Sequence, residues 1–310
     1  MKTRYFITVA LSLVYLAGIL HAGELPLGDP ANTPNDSEKS DSLNFQFGTP
    51  PAIQWYDMFK NIPTDWVRYS SITFTKENIP AMIAMTAATA VLIATDDPTY
   101  RISRELYEEH NAVRRAADIG EYIGDGKTHF GLAAGFAAYG FLESDQRALR
   151  TASQITETVL ACGVVVQVLK HLTGRESPIV ATKPGGAWNF FPNQIEYHRR
   201  VPAFDAYPSG HVATALATFT VIAENYPEIT WIRPVSYSLV GILALSMAGT
   251  GIHWYSDYPL GIALGYSFGM LAAHPEKFQI KQPAEENPVG ISVTPKIGYF
   301  GNGVQLTLTF

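Results

Sequence analysis

The stretch Tyr207-Pro208-Ser209-Gly210-His211 stands directly before an uncharged apolar run at 212–223. A proline followed by a small hydroxyl and a glycine predicts a tight turn, and the run predicts a helix that begins there. The first amides of a helix lack partners within it and carry the positive end of its dipole, so such a turn can bind a phosphate. His211 would then lie beside the anion as a proton donor or acceptor. In the alternative interpretation, Ser209 only caps the helix.

Two further stretches add chemistry to this turn. His253 and Asp257 are four residues apart, and on a helix they would share one face. Asp257 could then hold one ring nitrogen of His253 and leave the other nitrogen nucleophilic. Before the turn, an apolar run ends in Lys170 and is followed by Arg175 on a short loop that contains a glycine and a proline. A cationic loop, an anion-binding turn and a supported histidine together indicate phosphoryl transfer.

These three stretches resemble the signature of the type 2 phosphatidic acid phosphatase superfamily, which also includes bacterial class A acid phosphatases and vanadium haloperoxidases. The signature consists of Lys-x6-Arg-Pro, then Pro-Ser-Gly-His, then Ser-Arg-x5-His-x3-Asp. The second part is complete at 208–211, and the third keeps Ser246, His253 and Asp257. The first part keeps Lys170 and Pro178. The similarity covers about residues 71–275.

Two arginines of the signature are replaced in this chain, one by Ser177 and the other by Met247. In the family both arginines hold phosphate oxygens. A hydrogen bond to a charged group contributes about 1.5–3 kcal/mol, so losing two could cost roughly 3–6 kcal/mol, or about two to four decades in rate. Arg175 is the favoured substitute. For Arg199 and Arg200 the favoured interpretation is a solvated basic loop.

The resemblance implies a metal-independent phosphatase that needs no cofactor and hydrolyses a phosphate monoester or a pyrophosphate through a phosphohistidine. His253, oriented by Asp257, would attack phosphorus. His211 would protonate the leaving oxygen and then activate water. The residues expected to bind the substrate phosphate are Lys170, Arg175, Ser209 and Gly210.

The substrate class is left open by the sequence. An aromatic N-terminal region and many apolar segments favour a lipid phosphate, while a periplasmic acid phosphatase acting on soluble phosphomonoesters is an alternative. A second alternative function is that of a vanadium haloperoxidase. A third alternative is a non-catalytic envelope protein on the same scaffold, and the replaced arginines at 177 and 247 support it. Against it stand the five retained residues Lys170, Ser209, His211, His253 and Asp257.

Composition narrows the class of protein. The chain has 310 residues, 47% of them hydrophobic, which suits a large core, and its net charge of −6 argues against nucleic acid as a partner. Cys162 is the one cysteine, so no intramolecular disulfide can form, and its apolar neighbours predict a buried thiol. The spacing of histidines, carboxylates and cysteine predicts no metal cluster.

The N-terminal region predicts export. Residues 1–22 have the form of a signal peptide, with Lys2 and Arg4 before an apolar run at 6–20 and small residues up to Ala22. An uncleaved anchor helix is the alternative. Residues 23–70 are predicted to be a flexible arm whose aromatic side chains pack on protein or on a membrane surface. The expected location is the periplasm or cell envelope.

The rest of the chain predicts an all-α fold. Six apolar segments, at about 79–95, 129–142, 152–169, 211–223, 234–252 and 258–273, predict a helical bundle spanning 71–276, with Asn78 as a candidate cap of the first. The charged segment 96–128 predicts a surface helix without a catalytic role. In the tail, 277–310, apolar residues alternate around Gly301-Asn302-Gly303, which predicts a β-hairpin.

The length of the apolar segments bears on membrane insertion. A spanning helix needs about 20 apolar residues, and most of these segments are shorter. If the N-terminus is exported, three crossings before Lys170 would put the predicted site in the cytoplasm, whereas family members generally work on the outer side. The sequence therefore favours an exported bundle whose helices do not all span and which rests on a membrane.

Overall fold

The computed structural model describes residues 56–278 and, as backbone only, 290–298 and 301–309. The region 56–278 is all-α, which confirms the predicted class, and each of the six predicted apolar segments forms a helix. The nine α-helices of this region are α1 (Asp57–Thr73), α2 (Ile79–Glu109), α3 (Asn111–Glu121), α4 (Gly126–Glu143), α5 (Gln146–Thr173), α6 (Gln194–Arg199), α7 (Gly210–Asn225), α8 (Ile232–Thr250) and α9 (Tyr258–Ala273).

Helix α7 lies at the centre of the bundle, packed against α5, α8 and α9. Ten of its residues are buried, and six of those are alanine or threonine, so neighbouring backbones approach closely. On α9 the facing stripe consists of Gly261, Gly265 and Gly269. A Cβ atom added at Gly265 would lie 2.3 Å from the carbonyl oxygen of Ala213, closer than any real contact. The small residues of α7 and α9 therefore set the spacing of these two helices.

We expect Gly265→Ala to destabilise the bundle by about 1–3 kcal/mol, because the added methyl group meets backbone that cannot turn aside. Gly241→Ala in α8 is the matched control, since a Cβ there meets no atom within 4 Å. Alanine also has the higher helix propensity, so that control should be neutral or stabilised by up to about 1 kcal/mol. Thermal unfolding of the two variants in parallel measures the difference, and equal midpoints would contradict the account of packing.

The ends of four helices meet at one end of the bundle. The C-cap residues of helices α5 and α8 are Gly174 and Gly251, and both have the left-handed conformation that glycine adopts without strain. The amide of Ile179 donates to the carbonyl of Gly251 at 3.0 Å, and the amide of Ser209, before α7, donates to the carbonyl of Asp257, before α9, also at 3.0 Å. These bonds bring the three predicted motifs together.

Two expectations about chain segments were wrong. Residues 57–70 of the predicted flexible arm form most of α1, which packs on α5 and donates from Trp66 Nε1 to the carbonyl of Ala161 at 3.0 Å. The charged segment 96–128 is not one surface helix. It is divided among the second half of α2, helix α3 and the start of α4, and Asp96 within it is fully buried. Its charge pattern could not reveal a partner from another part of the chain.

Asn78 takes the N-cap position of α2, but its side chain does not cap the helix. Its Nδ2 donates instead to the carbonyl of Ile72, at the end of α1. The residue therefore joins two helices rather than satisfying the first amides of one.

Three helices in the described part of the chain are long and apolar enough to cross a membrane: α2, α5 and α8. Helix α2 is the least buried of them and exposes Ile79, Ile83 and Val91, while α5 exposes Val164 and Val168. These helices are longer than the predicted apolar segments at 79–95 and 152–169 because polar residues extend them. Their length and exposed apolar surface indicate membrane association.

Some predicted segments contain residues that the structure does not describe or describes as backbone only. The predicted signal peptide and residues 23–55 of the arm lie outside the described residues. In the tail, backbone strands β1 (Gly290–Gly298) and β2 (Gly301–Thr309) pair antiparallel, with Gly298 opposite Gly301. Gly301-Asn302-Gly303 thus begins β2 rather than forming the turn. The packing and role of the predicted hairpin stay predictions.

Candidate active site

The residues of the three motifs lie together where the helix ends meet. Lys170 is in the last turn of α5, and Arg175 follows on the next loop. Ser209 caps α7 and His211 lies in its first turn, while His253 and Asp257 belong to the short connection between α8 and α9. The catalytic and phosphate-binding roles of these residues stay predictions.

Two histidine rings face each other at the centre of the site. Nδ1 of His211 lies 3.2 Å from Nε2 of His253. On the other side of the His253 ring, Nδ1 lies 3.4 Å from Oδ2 of Asp257, which is longer than a well-formed hydrogen bond. His253 is almost fully buried and His211 is half-buried. The carboxylate thus stands behind His253, and Nε2 points toward the beginning of α7.

The expectation that His253 and Asp257 share an α-helical face was wrong. Helix α8 has ended at Thr250, and the residues Tyr255–Asp257 form a 3-10 turn. The two side chains still meet because that turn folds back, with the amide of Trp254 donating to Oδ2 of Asp257 at 2.8 Å. The spacing of the motif is therefore correct although its local structure differs.

Burial dominates the protonation of these groups. It lowers the pKa of His253 to about 3, assisted by the positive charge of Lys170, and it lowers the pKa of His211 to about 3, assisted by His253. Burial raises the pKa of Asp257 to about 6, against the opposing effect of Arg175. At neutral pH both histidines are thus neutral and Asp257 is ionised. A neutral imidazole with a carboxylate behind it is the form that can act as a nucleophile.

These pKa values predict that the buried histidines destabilise the bundle in mild acid. His253 and His211, and also His129, whose pKa burial lowers to about 4, bind protons near pH 6.5 once unfolded. Between about pH 4 and 6.5 these rings hold more protons in the unfolded chain, so their contribution to the unfolding free energy falls as pH falls, by roughly 1.4 kcal/mol per unit for each histidine at the limit. Buried carboxyl groups act in the opposite direction, because burial raises the pKa of Asp257 to about 6 and that of Glu157 to about 9, and it also raises the pKa of Asp96.

Unfolding midpoints between pH 7 and pH 4.5 test this dependence. Relative to the wild-type chain, the double variant His211→Asn/His253→Asn should gain stability as pH falls, so the difference between the two midpoints should change steadily with pH. Equal slopes for the two proteins would contradict the account, because the two rings would then contribute no proton linkage.

Arg175 lies behind Asp257 rather than in the open site. Its side chain is 0% exposed, and its Nη1 donates to Asp257 Oδ1 and to Ser256 Oγ. Its Nη2 donates to Asp96 Oδ2 at 2.6 Å and to the carbonyl of Gly185 at 2.8 Å. Both terminal nitrogens are thus occupied by protein groups. Its Nε is buried and has no hydrogen-bond partner among the described residues. The contacts place the guanidinium against Asp257, and the role of Arg175 as a phosphate ligand stays a prediction.

Asp96 is a member of the site that the sequence analysis missed. It is fully buried on α2, where its Oδ1 accepts from the amide of Ser256 at 3.2 Å and its Oδ2 also contacts the Ser256 hydroxyl. Together with Arg175 it anchors the turn that carries Asp257. The one signal in the sequence is its place directly after the apolar run at 79–95, where an acidic residue needs a partner if it is buried.

The beginning of α7 supplies the anion-binding part. The Ser209 hydroxyl accepts from the amide of Val212 at 3.3 Å, so this side chain acts as the helix cap, as the alternative interpretation had it. The amides of Gly210 and His211 precede the first intrahelical bond and face the site with the helix dipole. A Cβ atom added at Gly210 would lie 3.8 Å from Lys170 Nζ, which places the ammonium beside these amides.

The residues at the two replaced arginine positions are both buried. Met247 is fully buried in the core with Leu243 and Tyr258, and Ser177 is buried on the loop after α5. Arg199 and Arg200 are exposed at the end of α6, where Arg200 pairs with Glu196 at 3.6 Å. The structure therefore does not bring them to the histidine pair. Lys170, which also contacts Asp205 Oδ2 at 3.1 Å, is the cation beside the candidate site.

The described residues 56–278 hold no cluster of three or more histidines, cysteines or carboxylates arranged to bind a metal ion. Cys162 is free and fully buried in α5, as its apolar neighbours indicated.

Comparison with known proteins gives two similarities. Residues 152–279 match the family model of the PAP2 superfamily, which confirms the resemblance drawn from the motifs. Among solved structures, the chain is similar to the first transmembrane PAP2 type phosphatidylglycerolphosphate phosphatase from Bacillus subtilis, with 14% identity and a TM-score of 0.43. That alignment covers 73% of this chain and all of the other. No curated protein sequence matches the chain.

Proposed function

We propose that this chain, whose residues 152–279 match the family model of the PAP2 superfamily, is a phosphoric ester hydrolase of that kind. Its substrate in this proposal is a lipid phosphate or lipid pyrophosphate, which it hydrolyses through a phosphohistidine at His253. The observation that carries the proposal is the ring of His253. Its Nε2 faces His211 at 3.2 Å, and its Nδ1 is backed by Asp257. Asp257 thus supports one ring nitrogen of His253, and the other ring nitrogen points toward the beginning of α7.

Substrate binding comes first. The phosphate oxygens bind to the Lys170 ammonium and to the amides of Gly210 and His211, where the dipole of α7 favours negative charge. The phosphoryl group enters between the two histidine rings and replaces their mutual contact. Because Lys170 is buried beside these amides, its attraction to an anion is weakly screened by solvent.

The chemical steps follow from the protonation of the two rings. Neutral His253 attacks phosphorus through Nε2 as the bond from phosphorus to the leaving oxygen breaks, and Asp257 stabilises the positive ring that forms. His211 is neutral without substrate, and the negative charge of a bound phosphate raises its pKa, so it takes a proton from the substrate and gives it to the leaving oxygen. Water then attacks phosphorus, its proton passes to His211, and the phosphorus–nitrogen bond breaks.

A lipid is favoured as the substrate because three long apolar helices, with exposed apolar side chains, indicate a protein at a membrane. A soluble phosphomonoester is the second candidate, supported by the half-buried, accessible position of His211. The cell envelope is the location that fits both candidates, with the site on the exported side.

Phosphate release by the purified chain tests the proposal. The substrates are p-nitrophenyl phosphate, phosphatidic acid and a polyprenyl pyrophosphate, all with a metal chelator present. We expect release from at least one lipid substrate, inhibition by vanadate and no effect of the chelator. Release from the soluble ester alone would overturn the lipid assignment, and vanadate-dependent bromide oxidation without phosphate release would favour a haloperoxidase.

Lys170→Met should lower kcat/KM by about one to two decades, because a hydrogen bond to a charged group contributes about 1.5–3 kcal/mol. Methionine keeps most of the length of the side chain and removes only the ammonium group. Lys76→Met, on the connection between α1 and α2, is the control that removes a lysine elsewhere and should leave kcat/KM unchanged. If both variants keep full activity on the preferred substrate, Lys170 does not bind the phosphate.

A further inference from the structure

The loop between α5 and α7 exposes three large apolar side chains close to the candidate active site. Phe190, Phe191 and Ile195 are 65%, 77% and 67% exposed. Phe190 and Phe191 are adjacent, and Ile195 lies at the start of the short helix α6. A cluster of this kind is costly in water, and exposed apolar patches mark surfaces that contact another phase or partner.

This exposure is not the result of a loose loop. Phe191 has φ of 54°, a left-handed conformation that is unusual for a bulky residue, and its amide donates to the carbonyl of Leu172 at 2.8 Å. The amide of Asn189 donates to the carbonyl of Gly174 at 3.0 Å. The ring of Trp188 stacks on Phe190 with centroids 5.9 Å apart. The backbone thus holds both phenyl rings outward.

Basic side chains follow the apolar ones directly. His198, Arg199 and Arg200 end helix α6 and are all exposed, in a chain whose net charge is −6. Glu196 on the same helix pairs with Arg200 at 3.6 Å and leaves Arg199 without a counter-charge in the ion pairs of residues 56–278. Apolar tips next to exposed cations match the boundary between acyl chains and anionic headgroups.

The same surface continues along α5. Val164, Val168 and Leu172 are exposed at intervals of four residues on one face of this helix, which is long and apolar enough to cross a membrane. The strip ends at Leu172, whose carbonyl accepts the bond from Phe191. An apolar surface therefore runs up α5 to the phenyl rings and stops at the basic residues.

We propose that the docking face, formed by Phe190, Phe191, Ile195, His198, Arg199 and Arg200, binds the surface of an anionic lipid bilayer. The apolar side chains enter the acyl boundary and the arginines contact lipid phosphates. Because Lys170 is in the last turn of α5, next to this loop, the docked face holds the candidate site at the depth of the headgroups. This inference rests on the proposed hydrolysis of a lipid phosphate and adds the surface that presents the substrate.

A labelled cysteine tests the insertion directly, without turnover. Cys162 is fully buried, so a cysteine placed at an exposed position is the accessible thiol in residues 56–278. Phe191→Cys and the control Arg115→Cys, on helix α3, carry an environment-sensitive dye in the full chain reconstituted into vesicles of phosphatidylcholine with phosphatidylglycerol. We expect spin-labelled acyl chains to quench the dye at 191 several-fold more than the dye at 115. Equal quenching at the two positions would overturn the proposal.

Turnover separates this proposal from the proposed function. Phe190→Ser/Ile195→Ser should keep the rate on p-nitrophenyl phosphate and lose about tenfold or more on lipid phosphate in vesicles. Arg199→Gln/Arg200→Gln should remove the preference for vesicles that contain phosphatidylglycerol. Unchanged rates on vesicles would overturn the docking face while the hydrolase assignment stands. His253→Ala should lose activity but keep the quenching of the dye at position 191 by spin-labelled lipids. If this variant also loses the quenching, the docking face does not act independently of the site.

Discussion

His253→Ala should reduce phosphate release to the background rate, a loss of about four decades or more, because the variant has no nucleophile at the position that Asp257 supports. His211 cannot replace it, since no carboxylate stands behind that ring in the ion pairs of residues 56–278. The measurement is single-turnover phosphate release on the preferred lipid, with the folded state of the variant checked by its unfolding midpoint.

The matched control is His274→Ala at the end of α9, where the imidazole pairs with Glu224 at 2.9 Å, away from the site. It removes a histidine of the same chain and should leave turnover unchanged. Substantial activity in His253→Ala, or equal losses in both variants, would contradict the assignment of the nucleophile.

Arg175→Met should be the most destabilising single substitution in the site. It leaves Asp96 and Asp257 buried without the guanidinium that both contact, and breaking a buried pair in this way costs about 3–5 kcal/mol. Arg175→Lys should also fail, because one ammonium cannot span two carboxylates as the planar guanidinium does. Unfolding in denaturant measures both variants.

A double-mutant cycle distinguishes positioning from phosphate binding. Asp96→Asn removes one of the two buried charges, so Arg175→Met combined with Asp96→Asn should be less destabilised than the sum of the single variants. If Arg175→Met folds with normal stability and only raises KM, the guanidinium binds phosphate, as the resemblance implied, and the positioning role is wrong.

The sequence was sufficient for the features that depend on local pattern. Apolar runs predicted each of the six apolar helices, and the resemblance of the three motifs to the family signature predicted that Lys170, His211 and His253 meet. The close packing of α7 and α9 depends on small residues such as those in the stripe through Gly265.

Features that depend on a distant partner could not be predicted in this way. Asp96 stands next to charged residues, so its pattern is typical of a surface, and its burial is decided by Arg175, far along the chain. The same bond holds one terminal nitrogen of Arg175 against Asp96. Ser209 could not be assigned from sequence because a cap and a phosphate ligand use the same residue type at the same position.

The exposure of Phe190 and Phe191 is a third case. Aromatic side chains in a loop are expected to pack inward, and the direction of these two is set by the left-handed backbone at Phe191 and its bond to Leu172. No sequence pattern around them specifies that conformation, because the residue that adopts it is neither glycine nor asparagine.

Trapping the covalent intermediate tests the central claim most directly. The chain is mixed with a lipid substrate labelled with radioactive phosphorus and quenched rapidly in alkali, in which a phosphohistidine survives while phosphoserine and acyl phosphates do not. We predict label on the wild-type chain and none on His253→Ala. Phosphate release by a chain that never acquires label, or label that persists in His253→Ala, would contradict the mechanism.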